Sequence, residues 1–183
     1  MVIEGRIVRL RSARGSDRRD VYAWLAESDV TSSMLGLPLY PDAPIPTWEE
    51  FCADYDSHFF DGSVSEREAS HIIEVAGDAV GHVNYEIVGE PPRYAELDIW
   101  MRSKRDTGHG WGPDALDALT VHLHSVYGVR TFVIRPSARN RRAIRAYEKA
   151  GFTLVPMTID GQAETYGPGD CDDSVVLVRE FST

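Results

Sequence analysis

The chain has 183 residues, enough for one domain with its own core, and its 43% hydrophobic and 26% charged residues are ordinary for a globular protein. Its net charge of −10 argues against nucleic acid as the main partner, because phosphate contacts need a basic face, and it suits a cationic ligand. No apolar run reaches membrane-spanning length, the opening stretch lacks the apolar centre of a secretory signal, and Cys52 and Cys171 form no metal or redox spacing, so the expectation is a cytoplasmic protein with reduced thiols, no metal and no membrane contact.

Residues 3–10 (IEGRIVRL) alternate in the manner of a strand. Ser16 and Asp17 can cap a helix running through VYAWLAES. Four prolines in 35–47 mark a loop, and Thr47 opens a second helix, TWEEFCADYDSHFF, with acids in its first turn. Residues 70–76 and 80–88 flank Gly77-Asp78-Ala79 and read as a hairpin, and YAELDIWM (94–101) is a further strand. A glycine stretch, TGHGWG (107–112), follows. Pro113 then suits the first helical position, and Asp114 the first turn. Leu116, Leu119 and Leu123 fall at core spacing, and Gly128 suits the end of that helix. A strand (130–136), a helix (140–151) and strands near 152–157 and 174–181 complete the chain. The strand–glycine loop–helix–strand unit over 94–135 requires a parallel crossover.

Three glycines, Gly108, Gly110 and Gly112, stand in front of a helix N-terminus. They either make a tight turn or let an anion approach free N–H groups closely. No Gly-Lys-Ser/Thr follows, which excludes the P-loop, and the pattern fails as a dinucleotide fingerprint. The stretch Arg130 to Arg145 carries six arginines and no acid, and Arg102, Lys104 and Arg105 precede the glycines. A basic strip in an acidic chain points to one polyanionic ligand held in one place.

Asn140-Arg-Arg-Ala143-Ile-Arg-Ala-Tyr147-Glu-Lys-Ala-Gly151-Phe152, taken with the glycine loop, resembles the GNAT N-acetyltransferase family. That family has a loop Q/R-x-x-G-x-G/A and a later helix N-x-x-A-x-x-x-Y-E-K-x-G-F. The helix pattern matches throughout. The loop fits in two registers, Arg105-x-x-Gly108-x-Gly110 and Thr107-x-x-Gly110-x-Gly112, the second aligning the helix start better. The resemblance implies an α/β (α+β) fold in a single domain, 1–183. Its sheet would be mixed, mostly antiparallel and twisted, with a central parallel pair splayed around acetyl-CoA and helices on both sides. It implies acetyl-CoA as co-substrate, with the pyrophosphate at Gly108, His109, Gly110, Trp111 and Gly112. Trp100 and Met101 would lend backbone groups to the pantetheine, and Asn140, Ala143 and Tyr147 would line the cofactor.

In the family a tyrosine at the position of Tyr147 protonates the departing sulfur. Reference values of ~10 for a phenol and ~8.5 for a thiol make that transfer nearly neutral. Without the resemblance, Tyr147 reads equally as a core aromatic on an amphipathic helix. The attacking amine must lose a proton, and Glu96 and Asp98, at i and i+2 on one strand face, are candidates for base or ammonium anchor. The segments LDIWM and RPSARNRRAIRAYEKAGF resemble the aminoglycoside 6′-N-acetyltransferases, which have an acid before the proline where this chain has Arg135. That resemblance implies a cationic small-molecule acceptor and antibiotic resistance. Tyr40 and Trp48, beside Met34 and Leu37, would form the acceptor wall, with Asp98, Asp170, Asp172 and Asp173 holding the cations. Alternatives are an acetyltransferase of protein N-termini, of the ribosomal-protein type, and an acyl-CoA-binding module without catalysis. Either a monomer or a homodimer is compatible with this reading.

Overall fold

A computed structural model describes residues 2–35, 45–89, 93–169 and 171–182. Eight strands form one sheet: β1 (Val2–Glu4), β2 (Arg9–Ser12), β3 (Glu68–Val75), β4 (Asp78–Val88), β5 (Tyr94–Met101), β6 (Thr131–Ile134), β7 (Thr153–Val155) and β8 (Val176–Glu180). Their spatial order is β1-β2-β3-β4-β5-β6-β8-β7, and every pairing is antiparallel except β5 with β6. The parallel pair is the crossover expected from the sequence, made through α4 (Trp111–Tyr127). The other helices are α1 (Arg18–Ala26), α2 (Thr31–Met34), α3 (Trp48–Asp54), α5 (Arg141–Lys149) and α6 (Ile159–Tyr166).

Several boundaries differ from the sequence reading. The first strand is two strands, β1 and β2, because Gly5 turns back through a bond from its N–H to the Val8 carbonyl (2.8 Å). The buried Asp114 carboxylate closes that turn, accepting the N–H groups of Arg6 (3.1 Å), Ile7 (2.7 Å) and Val8 (2.9 Å). The four-residue α2 and the eight-residue α6 carry too little apolar periodicity to announce themselves. The second expected helix ends at Asp54, and residues 57–60 form a separate 3-10 turn begun by Asp56. Its start is as read, with Thr47 and Glu50 capping each other reciprocally. The β3–β4 turn is Ala76-Gly77, both at positive φ, rather than Gly77–Ala79. Pro113 is the third helical residue, still ahead of the first intrahelical bond, from the Asp114 N–H to the Gly110 carbonyl (3.1 Å).

The two sheet faces bury different partners. On one, Leu116, Leu119 and Leu123 of α4 and Ile144 and Tyr147 of α5 pack on Tyr85, Leu97 and Phe132. On the other, Val21 and Tyr22 of α1 and Phe51 of α3 pack with Phe60, Ile72 and Trp100. Side-chain alternation therefore sends Leu97 into the first core and Glu96, Asp98 and Trp100 to the second face. Among the described residues no helix is long and apolar enough to cross a membrane.

His71 and His82 lie at the centre of the sheet with no exposed surface, and neither ring nitrogen of either has a hydrogen-bond partner. Burial depresses their pKa values to about 4 and about 3. The unfolded chain takes up protons near pH 6.5 that the folded chain refuses, so stability falls as pH drops below that value. At pH 5 each histidine is expected to withdraw about 2 kcal/mol. Urea midpoints at pH 7.5 and 5.0 check this. His82→Phe, among Trp100, Tyr55 and Phe60, should remove roughly half of the acid loss.

Candidate active site

Parallel pairing between β5 and β6 covers Tyr94↔Thr131, Ala95↔Phe132 and Glu96↔Val133, then stops, while β5 runs on to Met101. A cavity of about 240 Å³ opens beyond that point. Ile99, Trp100 and Met101 of β5 form one wall, and Asn140, Ala143 and Tyr147 of α5 form the other. The glycine loop closes one end, and Val30, Ser33 and Met34 border the cavity from the α2 region. Along that stretch of β5 the side that would have faced β6 has no strand partner, and apart from the Ile99 N–H, which is bonded to Asp98, its backbone groups are turned to the cavity.

The loop separates the two roles that its glycines suggested. Gly108 and Gly110 have φ of 86° and 83°, the left-handed region that a turn demands. Gly112 lies outside that region, inside the first turn of α4, and a Cβ there would meet only Ile99 Cδ1 at 4.0 Å. Among the described residues nothing in the packing excludes a side chain at Gly112, so the cavity it borders is what an added methyl would invade. Gly112 precedes the helical ladder, which leaves its N–H without an intrahelical partner at the cavity end. His109 and Trp111 stack on each other at 4.5 Å rather than lining the cavity, and His109 Nε2 lies 2.9 Å from the Arg105 carbonyl oxygen.

The arginine strip divides in the same way. Arg135 is buried and binds Glu96 at 2.6 Å, while donating to the Gly167 carbonyl at 2.8 Å. Arg139 pairs with Asp173 at 2.8 Å. Arg142 and Arg145, with Lys149, border the cavity. These three cations and the loop N–H groups give the cavity a positive end inside an acidic protein.

Tyr147 is 8% exposed and reaches the cavity from α5. Burial pushes its phenol well above the ordinary value, and the charge of nearby Asp98 adds to the rise. The Asn140 side chain accepts the Ala143 N–H (3.1 Å), so it starts α5 as well as lining the cavity. Asp98 is exposed and held at both oxygens: the Ile99 N–H donates to Oδ1 (2.8 Å) and the Tyr55 hydroxyl to Oδ2 (3.3 Å). Sequence reading missed Tyr55, which looked like one more aromatic of a helix. Only the end of α3 at Asp54 turns it towards β5, where it packs on Trp100 and His82.

Glu96 shares the strand face of Asp98, but its ion pair with Arg135 makes it a poor candidate for the base. Trp48 packs against Tyr22 and Phe51 beneath the Arg18 and Arg19 guanidinium groups. Asp172 lies in the turn before β8 and does not border the cavity. Leu37, Tyr40 and Asp170 lie outside the described residues.

A model of the acetyltransferase (GNAT) domain matches residues 8–153. The chain belongs to the GNAT acetyltransferase family. Its sheet, with one parallel pair parting around a cavity, is that fold. No curated protein matches. Among solved structures, aminoglycoside acetyltransferase AAC(6')-Ib in complex with coenzyme A superposes with a TM-score of 0.71 at 21% identity, covering 94% of each chain. Spermidine N-acetyltransferase from Vibrio cholerae, in complex with CoA and spermine, superposes at 0.67 with 17% identity, covering 94% of this chain and 95% of that one. The GNAT domain of S. lividans PAT gives 0.66 at 16% identity, over 95% and 90%.

Alanine substitutions in the loop should separate turn from cavity. Gly110→Ala forces a side chain into the left-handed region and is expected to cost about 1–2 kcal/mol in urea unfolding. Gly112→Ala, free of that strain, should leave stability unchanged or raise it by up to ~1 kcal/mol.

Proposed function

We propose that this N-acetyltransferase uses acetyl-CoA to acetylate a primary amine on a cationic small molecule. The observation that carries this is the cavity between the parted strands, with a protonated Tyr147 on one wall and Asp98 on the adjoining strand face. Acetyl-CoA fits the chemistry of the cavity walls. The open backbone edge of Ile99 to Met101 suits the pantetheine amides, and the loop N–H groups with Arg142, Arg145 and Lys149 suit phosphates. Bound there, acetyl-CoA supplies a thioester carbonyl for attack and a thiolate as leaving group.

Tyr147 holds an O–H towards the sulfur. The expectation of a nearly neutral transfer needs correcting: with reference pKa values of ~10 and ~8.5, full transfer to a thiolate runs uphill by about 1.5 units, roughly 2 kcal/mol, and burial of the phenol steepens it. Tyr147 therefore works as a fixed donor to charge developing on sulfur, and its proton moves only as the C–S bond gives way. Asp98 receives the acceptor as an ammonium and orients it; one proton of the ammonium passes to water before the neutral amine attacks, and the second, lost as the amide forms, restores the Tyr147 phenol that protonated the sulfur. Tyr55 and the Ile99 N–H fix the Asp98 carboxylate for that task.

Aminoglycosides and linear polyamines are the acceptor classes that the neighbours' complexes suggest, and aminoglycoside acetylation would carry antibiotic resistance with it. Retention of both Tyr147 and Asp98 favours catalysis over an acyl-CoA-binding module. A peptide acceptor finds no specific support in the cavity.

Thiol release from acetyl-CoA with kanamycin-type aminoglycosides, spermidine and short peptides tests the assignment, and turnover with peptides alone would overturn the acceptor class. Tyr147→Phe should lower kcat by about a hundredfold or more while coenzyme A affinity by calorimetry changes far less. Because burial keeps the phenol neutral, the kcat/KM profile between pH 6 and 10 should keep its shape in that variant and lose only height. Gly112→Ala should weaken coenzyme A binding without a fall in stability.

A further inference from the structure

The face of the sheet that carries Asp98 also carries a row of three glutamates. Glu68 lies opposite Glu86, and Glu86 lies opposite Glu96, across β3, β4 and β5. Like charges facing one another across strands destabilise a sheet. The two outer members each have a side-chain partner: a His58 ring nitrogen lies 2.9 Å from Glu68, and the Arg135 guanidinium lies 2.6 Å from Glu96. Glu86, exposed and central, has no cation within ion-pair distance among the described residues.

The neighbouring row on the same face is Ser70↔Asn84↔Asp98. Ser70 is 1% exposed, and neither its Oγ nor the buried Asn84 Oδ1 has a hydrogen-bond partner. Oxygens without donors thus stand beside a carboxylate without a cation. An ammonium, with three donors and no acceptor, suits the exposed carboxylate directly, while the two oxygens beside it are buried and add to the lack of donors on this face. No three His, Cys, Asp or Glu among the described residues converge as a metal site.

We propose that Glu86 anchors a second ammonium of the acceptor, which makes this a site for amines carrying two cationic centres. Residues diagonal to one another on adjacent strands stand about 7–8 Å apart, so Asp98 and Glu86 match the ends of a linear diamine. The reacting amine sits at Asp98 beside the cavity, and the second ammonium sits over Glu86, with the backbone of the acceptor along the strand face. Arg135 sharpens the choice, since it removes Glu96 as a competing anchor. This inference rests on the amine-acetyltransferase reading above, and its test separates the two.

The probes are 1,5-diaminopentane and 1-aminopentane at low ionic strength, with the full chain. The wild type should favour the diamine by roughly tenfold or more in kcat/KM. Glu86→Gln should bring that ratio close to one, Glu86→Asp should lower it partway, and Glu180→Gln, on β8, should keep the wild-type ratio. Without acetyl-CoA, the diamine should raise the melting temperature of the wild type and not of Glu86→Gln. Glu86→Gln itself should melt no lower than the wild type, because it relieves the glutamate row. Equal use of the two amines by the wild type overturns the inference, as does an undiminished preference in Glu86→Gln. A melting shift from magnesium chloride equal to that from the diamine also overturns it, in favour of a metal. If no amine is acetylated while coenzyme A binds, the transfer reading fails, and the melting shifts alone then decide the anchor.

Discussion

Parallel pairing between β5 and β6 lasts three residues, and the working geometry follows from where it stops. Had β6 followed β5 to Met101, the backbone edge of Ile99 to Met101 would be spent on a ladder and no cavity would form. Instead β6 ends at Ile134 and the chain turns away towards α5, whose Ala143 and Tyr147 then face the exposed edge. One strand thereby presents three surfaces. Odd residues such as Leu97 enter the core under α4, even residues such as Asp98 lie on the opposite face, and the open edge faces the cavity.

Charge is sorted by the same strand. The protein is acidic overall, yet Arg142, Arg145 and Lys149 gather at the cavity while the carboxylates of Asp98 and Glu86 stand on the sheet face. Ion pairs inside the structure decide which charges stay available. Arg135 and Arg139 pair with Glu96 and Asp173, while Arg142 and Arg145 border the cavity, so the arginine-rich segment is divided between scaffold and cavity. Arg135 also ties the segment after α6 to β5 through the Gly167 carbonyl, which makes one residue responsible for both charge and shape there.

Much of this was legible in the sequence because it depends on local pattern. The crossover from β5 to β6, the capping of α3 by Thr47 and the faces of β5 all follow from periodicity, turn chemistry and caps. The glycine loop was legible only as an ambiguity, and the structure resolves it residue by residue: φ explains Gly108 and Gly110, while Gly112 has no such cause. Long-range pairings were hidden. Nothing near Tyr55 in sequence reveals Asp98, 43 positions away, and nothing near Glu96 reveals Arg135, 39 positions away. The like-charge row through Glu86 requires strand register, which composition does not contain.

Asp114 has a consequence for the order of events in folding. Among the described residues it is the only acceptor for three consecutive N–H groups of the first hairpin, and it lies more than a hundred residues further along the chain. During synthesis, β1 and β2 leave the ribosome well before the carboxylate that closes their turn. Until the start of α4 arrives, water serves those three N–H groups, and the turn of the N-terminal hairpin lacks its native acceptor.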